Sequence, residues 1–290
     1  MKTLIIDGNN LIHRTYWTAK TQSKRTETNT DEQINNLHIF FTLNAIFSYV
    51  TKFNPTKTIL VWDEKLDYQV NERKTLFSEY KGNRSSDSSP HQNNSTIKEI
   101  ASYIGIPSIY PKQYEADDIV SYICRFTPGE KVIISVDKDF LQLIDQHTSI
   151  YDPIRKVIYD DKNFYEKTGC IDTKTWLITK CLLGDKSDNV PGIPKFGKVK
   201  ITKFFSGEIT LTEAENSIYE RNYKLFNLSS LTSDHNEAIY YRDQLDKIVS
   251  VDWNLFLQAC KERNFQTILK KKESWYSLFF LKNKLLSLFK

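Results

Sequence analysis

With 290 residues, 40% of them hydrophobic and 13% aromatic, the chain is long enough for one large domain or two modest ones, and too apolar to be disordered. A net charge of +4 excludes a wholly basic nucleic-acid coat while leaving room for a local basic patch. Four cysteines (Cys124, Cys170, Cys181, Cys260) form neither a CxxC nor a zinc spacing and read as reduced core thiols, and no apolar run is long enough to span a bilayer, so a cytoplasmic protein with no membrane contact is expected.

In chain order, Thr3–Ile6 reads as a buried strand ending at Asp7. Leu37, Phe40, Phe41, Leu43, Ala45, Ile46 and Val50 then form one apolar helical face. A second strand, Thr58–Trp62, ends at Asp63. Ser85–Asn94 is polar and without period, as in a loop inside a domain. Ile97, Ile100, Ala101 and Ile104 begin another helix, and Glu115-Ala116-Asp117-Asp118 precedes a further apolar helical run. Val132–Val136 is a third strand, ending at Asp137. Such alternation predicts an α/β fold, a mainly parallel sheet flanked by helices. From about Thr173 the pattern turns helical to the end, and no internal repeat is visible.

Nine acids stand out: Asp7, Asp63, Glu115, Asp117, Asp118, Asp137, Asp139, Asp185 and Asp188. Taken singly, each has a plainer role. Asp7-Gly8-Asn9-Asn10 suits an Asx-capped turn, Glu115–Asp118 a helix cap, Asp137-Lys138-Asp139 a solvated turn, and Asp185 with Asp188 a surface pair. Together, several at the carboxyl ends of buried strands, they point to the place where open α/β sheets bind ligands. Each close pair of such acids costs ~4 kcal/mol at an effective dielectric of about 20, which hard oxygen-loving dications relieve. The set predicts a Mg²⁺ or Mn²⁺ phosphodiesterase holding two ions ~4 Å apart. Helical spacing lets Glu115 and Asp118 point one way and Asp117 another. No general-base histidine is required, and the five histidines form no cluster in sequence.

Two further segments carry positive charge. Within Arg73–Arg84, the side chains of Arg73, Lys81 and Arg84 could meet a phosphate, with Tyr80 as a stacking surface; a solvated, ion-paired helix fits equally. Gly192-Ile193-Pro194-Lys195-Phe196-Gly197-Lys198-Val199-Lys200-Ile201 reads as a tight turn between helices, with Lys195, Lys198, Lys200 and Lys203 uninterrupted by acids. Ordinary helix–turn–helix packing is the competing reading. The apolar end, Trp275–Leu281 and on to Phe289, suits a helix docked on the core or a partner-docking surface.

In order, Asp7-Gly-Asn-Asn, Asp63, Glu79-Tyr-Lys-Gly-Asn-Arg84, Tyr114-Glu-Ala-Asp-Asp118, Ser135-Val-Asp-Lys-Asp139, Gly184-Asp-Lys-Ser-Asp-Asn189 and Gly192-Ile-Pro-Lys-Phe-Gly197 resemble the 5′-nuclease (flap endonuclease, 5′→3′ exonuclease) family, from Lys2 to about Phe205. That family includes the 5′-nuclease domain of bacterial DNA polymerase I and bacteriophage enzymes, among them the phage 5′-nuclease called ribonuclease H. The resemblance implies a PIN-like catalytic region over 1–172 with an arch at about 64–97. It places a helical region at 173–290, with a helix–three-turn–helix element at about 181–206. It implies cleavage near single-strand/duplex junctions, leaving a 5′-phosphate and a 3′-hydroxyl, on branched or nicked DNA with a 5′ single strand or RNA primer. Asp7, Asp63, Glu115, Asp117 and Asp118 would serve mainly one Mg²⁺ (or Mn²⁺), and Asp137, Asp139, Asp185 and Asp188 mainly another. Asp137, Lys81 and Arg84 are the catalytic candidates, the last two at the scissile phosphate. Arg73, Tyr80, Gly192, Lys195, Gly197, Lys198 and Lys200 join them as DNA contacts, often with K⁺ in the hairpin. A monomer is the simplest state, and the C-terminal tail is the candidate site for a replication-protein partner. Two departures stand out: Lys198-Val-Lys-Ile replaces a common Lys-Thr-Ala-like run, and the arch is short. A PIN-type ribonuclease and a non-catalytic DNA-junction binder are the alternatives.

Overall fold

Side chains along a strand alternate between two faces, and here both faces are apolar, which requires cover on both sides. In the computed structural model, which describes residues 1–26, 30–63, 72–83, 88–111, 114–228, 235–247 and 249–281, that cover is helical. The sheet comprises β1 (Lys2–Asp7), β2 (Lys57–Val61), β3 (Ser108–Ile109), β4 (Glu130–Ile134), β5 (Thr148–Asp152) and β6 (Val157–Tyr159), in the order β3-β2-β1-β4-β5-β6. All neighbours run parallel except β6, which returns antiparallel on β5. The three strands read from sequence are therefore β1, β2 and β4. β3, with two residues, β6, with three, and the partly polar β5 are too short or too polar to be seen there.

Leu4, Ile6, Leu60, Val132 and Ile134 face α1 (Gly8–Arg25) and α2 (Asp31–Phe53). Ile5, Ile59, Val61 and Ile133 face the other way. A short helix, α3 (Glu72–Leu76), precedes α4 (Asn94–Tyr103), which joins the first face; α5 (Ala116–Phe126) covers the second. Crossover helices thus change sides between β1 and β4. That is a topological switch point, where such sheets open a crevice at their carboxyl ends.

Beyond α6 (Phe164–Thr168), helix α7 (Thr173–Leu183) leads through a two-strand turn, β7 (Gly184–Asp185) and β8 (Val190–Pro191), to α8 (Lys198–Phe205) and α9 (Glu213–Phe226). Leu182, Ile193 and Phe196 are the buried centre of this unit. Gly184 has φ +72°, and a Cβ on Gly192 would lie 2.2 Å from the Leu183 carbonyl, so both glycines are dictated by the turn.

The last helices, α10 (His235–Asp246), α11 (Trp253–Glu262), α12 (Gln266–Lys270) and α13 (Lys272–Trp275), correct the division at residue 172. They do not continue the α7–α9 unit. Phe256, Cys260, Ile268 and Trp275 belong to the same core as Leu4 and Leu60, and Tyr241 and Leu245 to the core on the other face. Trp275 and Phe279 pack against Phe47 with ring centroids 4.6 and 6.4 Å away. These two anchors of the expected partner-docking tail are thereby committed to the core; residues 282–290 lie outside the described set. Cys124, Cys181 and Cys260 are buried free thiols and Cys170 is half-buried. Among the described residues no helix is long and apolar enough to cross a membrane.

Candidate active site

At the crevice, Asp7 ends β1 and caps α1, its Oδ1 accepting from the Asn10 amide at 2.9 Å and its Oδ2 from the Ser135 hydroxyl at 2.8 Å. A Cβ on Gly8 would meet the Trp62 ring at 2.7 Å, so glycine there lets α1 start hard against the end of β2. Asp63 follows β2; its amide donates to Asn9 Oδ1 (3.2 Å), and its own Oδ1 accepts from the Ala116 amide (2.8 Å) at the start of α5. Asp137 follows β4 and accepts from the Asp139 amide at 2.8 Å. With Asp117 these three line one cavity of about 530 Å³, together with Asn9, Asn10, His13, Trp17, Lys81 and His91.

The cavity is electrostatically strained. Burial raises Asp7 above the usual carboxylate range, and the charge of Asp63 adds to it. Burial and then the charges of Asp137, Asp63 and Asp7 raise Asp117 well above that range. Asp137 is pushed up to about 7 by burial, then by Asp139 and Asp7. Among the described residues no three histidine, cysteine or acidic side chains form a compact ligand cage. The four acids instead face each other across the cavity. An oxygen-only, mutually repelling, partly buried set fits a hard dication.

Glu115 and Asp118 depart from their expected role. They do share a face, but that face meets Arg73. Its Nη1 and Nη2 donate to the two Asp118 carboxylate oxygens at 2.7 and 2.6 Å, its Nη1 to Glu115 at 3.1 Å, and its Nε to the Leu225 carbonyl at 2.9 Å. Asp118 also accepts from the Glu115 amide at 3.1 Å, closing a capping box. With no exposed surface and its oxygens engaged, Asp118 is held here as the anionic partner of Arg73. Asp117, pointing elsewhere, is the member of the trio in the cavity. Arg73 and Tyr80 are likewise corrected as DNA contacts. Both are buried, and the Tyr80 hydroxyl donates to Glu115 at 3.2 Å, leaving no ring face for a base.

Lys81 reaches the cavity wall, its Nζ 2.7 Å from Glu115, with a positive φ of 57°. Its amide donates to the Asp188 carbonyl (2.8 Å), Asn83 Nδ2 to the Lys186 carbonyl (2.9 Å), and Asn189 Nδ2 to the Glu79 carbonyl (3.0 Å). The gateway segment and the turn after α7 are therefore stitched together. Asp188 is buried there beside Tyr80, outside the described linings of both acid-lined cavities. Arg84 lies outside the described residues, as do 64–71 of the arch.

The second acid group lines a neighbouring cavity of about 540 Å³, which Asp137 shares. Lys180 of α7, invisible to spacing arguments, sits between its acids, paired with Asp139 and 2.9 Å from Asp185. Against the upward push of burial, the Ser187 hydroxyl and Lys180 hold Asp185 down to about 2. In this arrangement an internal ammonium already offsets one of the two charges on the pair expected to hold a second ion.

Lys195 in the turn and Lys198 and Val199 on α8 are exposed, and no residue of the helix is buried. Lys200 pairs loosely with Glu215 at 3.9 Å and Lys203 with Glu208 at 4.0 Å. Gly192 lies at the turn and Gly197 caps α8 in open space. The histidines correct another expectation. His13, His38 and His91, distant in sequence, come together beside the acid cavity, His13 Nε2 lying 3.2 Å from His91 Nε2.

An acid-floored crevice at the switch point of such a sheet, beside a helix–turn–helix unit, defines a PIN-like nuclease fold of the flap-endonuclease type. The fold is shared with the T5 5′-exonuclease bound to zinc (TM-score 0.67, 18% identity, 86% of this chain and 100% of that one). It is also shared with flap endonuclease-1 from Methanococcus jannaschii (TM-score 0.59, 14% identity, 97% and 93%). Residues 2–169 match the model of the 5′-3′ exonuclease N-terminal resolvase-like domain, and the chain belongs to that family. A 5′-3′ exonuclease of Aquifex aeolicus (strain VF5) is 29% identical over 290 residues, covering 93% of this chain and 95% of that one. Another, of Halalkalibacterium halodurans, is 32% identical over 205 residues, 67% of this chain and 66% of its own length.

Proposed function

We propose that the chain is a divalent-metal-dependent, structure-selective 5′-nuclease. It would cleave branched or nicked duplex DNA near the single-strand junction, leave a 5′-phosphate and a 3′-hydroxyl, and remove 5′ flaps or RNA primers in replication. The observation that carries the reading is the facing of Asp7, Asp63, Asp117 and Asp137 across one cavity at the carboxyl ends of the central strands.

These four acids would hold the first dication, with Asp139, Asp185 and Asp188 the candidates for a second. Bound there, Mg²⁺ or Mn²⁺ supplies water activation and charge neutralisation at the scissile phosphate. The chain's own contribution is positional. Ser135 orients Asp7 through its hydroxyl and accepts from the Asp137 amide at 3.0 Å, while Asn9 and the Ala116 amide fix Asp63. Lys81, fixed through Asp188 and Glu115, presents an ammonium to a phosphate entering the cavity. Trp17, 48% exposed on the cavity rim, supplies the stacking face that buried Tyr80 lacks. Lys195, Lys198 and Lys200, with the amides at the start of α8, suit a duplex backbone, with K⁺ as a candidate in the turn. One such cavity per chain suits a monomer.

The test is cleavage of a 5′-labelled flap duplex by wild type and Asp137→Asn in Mg²⁺, with an EDTA control. Metal-dependent release of short 5′ fragments by wild type, lost in Asp137→Asn with flap binding retained, is the expected result. Binding without cleavage by wild type in both Mg²⁺ and Mn²⁺ would leave a junction-binding protein instead.

A further inference from the structure

The histidine node is not needed by the nuclease chemistry, yet it is built. His13 lies on α1, His38 on α2, and His91 on the short turn leading into α4. His13 Nε2 and His91 Nε2 are 3.2 Å apart, with rings nearly perpendicular at 77°. Two nitrogens at about 2.0–2.1 Å from a tetrahedral Zn²⁺ stand about 3.3–3.4 Å apart, so the pair has the spacing of a chelate before any ion is added. Both rings line the solvent-open acid cavity, which gives an ion a path in.

Two further observations concern what surrounds the pair. Asn94 Nδ2 lies 3.3 Å from His91 Nδ1, while Asn94 Oδ1 is buried without a hydrogen-bond partner. Turning the amide over gives that oxygen the His91 Nδ1–H and makes Nε2 the lone-pair nitrogen of the ring. A carbonyl-type acceptor behind the distal ring nitrogen is the usual support of a metal-binding histidine. His38, fully buried, accepts at Nδ1 from Asn93 Nδ2 (3.1 Å). An orphaned buried oxygen beside the pair needs an explanation, and the turned amide supplies it.

We propose that His13 and His91 form a site for a borderline transition-metal dication of the Zn²⁺ class, separate from the carboxylate set. Imidazole favours such ions over Mg²⁺, whereas carboxylates also take Mg²⁺, so a large excess of Mg²⁺ competes at the acids and not at the histidines. An ion there ties α1 to the turn that closes the arch region.

The proposal does not rest on the nuclease reading, and its test avoids activity. Zn²⁺ binding is measured by calorimetry in a large excess of Mg²⁺, which occupies the acids. Wild type and Asp117→Asn retain one equivalent of Zn²⁺; His13→Gln and His91→Gln each lose it, and Asn94→Leu weakens it about 10–100-fold. Cu²⁺ on the wild-type chain shows electron-paramagnetic splitting from two directly bound nitrogens, a readout that needs no variant. Zn²⁺ retained in both histidine variants, lost in Asp117→Asn, or absent from wild type overturns the proposal, leaving a neutral imidazole–imidazole hydrogen bond.

Discussion

Replacing Arg73 separates two accounts of the same residue. If it contacted DNA, Arg73→Met would weaken DNA binding across sequences, reduce the salt slope by about one phosphate, and leave stability nearly untouched. The structure gives a different outcome. Its side chain is 9% exposed, that of Asp118 is 1% and that of Glu115 is 10%, so solvent screening does little to soften the loss. Removing one partner of such a group leaves a buried carboxylate without its cation, at a cost of about 3–5 kcal/mol. Unfolding entropy near 2.1 cal/mol/K per residue gives about 0.6 kcal/mol/K for a chain of 290, so about 4 kcal/mol lowers the Tm by about 7 °C. The assay is thermal unfolding followed by circular dichroism, in EDTA so that added ions do not contribute. Arg73→Met/Asp118→Leu removes both charges and should recover more than half of the loss, since what destabilises is the unpaired anion and not the missing contact. A Tm within about 2 °C of wild type for Arg73→Met, with uniformly weaker DNA binding, would refute the reasoning.

Lys180→Ala should lower stability in EDTA by about 3 kcal/mol, because Asp139 and Asp185 lose a largely buried cation; millimolar Mg²⁺ should restore much of this, and melts with and without the ion check it. His38 has its folded pKa depressed from 6.5 to about 4, so the unfolded chain binds the extra proton between those values. Its contribution is therefore intact above pH 6.5 and is lost as pH falls toward 4, by up to about 3 kcal/mol. Urea midpoints at pH 7.5 and 5 should differ less in His38→Asn than in wild type. Gly192→Ala should cost about 1–3 kcal/mol, since its Cβ would meet the Leu183 carbonyl at 2.2 Å, whereas Gly197→Ala, with open space and φ −104°, should stay within about 1 kcal/mol by urea titration.

The sheet was legible in sequence wherever a strand was buried on both faces. Ile5 and Ile133 on one side, Leu4 and Val132 on the other, leave no polar position to disguise β1 or β4. β5 was hidden because only Ile150 and Tyr151 of its residues are apolar, between Thr148-Ser149 and Asp152, a pattern shared by loops. At the site, the acids could be enumerated but not sorted. The spacing of Glu115 and Asp118 correctly placed them together, yet nothing local reveals that Arg73, more than forty positions earlier, arrives to occupy them. The same holds for Lys180 and for the three histidines. Partners brought together by the fold leave no periodicity, so a charged residue's role depends on contacts that the chain's local pattern does not encode.

The placement of cations explains how so many acids fold around one crevice. Asp118 and Glu115 are balanced by Arg73 and Lys81, and Asp139 and Asp185 by Lys180, all within hydrogen-bonding reach. Arg73 and Lys81 offset both charges of their pair and Lys180 one of the two on its pair, and Lys81 and Lys180 sit at the walls of the acid-lined cavities. Asp7, Asp63, Asp117 and Asp137 form the group in which burial first, and then the charges of neighbouring acids, raise the carboxyls of Asp7, Asp117 and Asp137. Had the internal cations been spread evenly over all nine acids, no group would carry the unrelieved charge that attracts a dication. Because Lys81 is held at its backbone by the turn that carries Asp185 and Asp188, the gateway and the duplex-facing unit share one rigid support. On the proposed reading, duplex on α8 and a strand passing Lys81 would thereby be kept in fixed register with the acids.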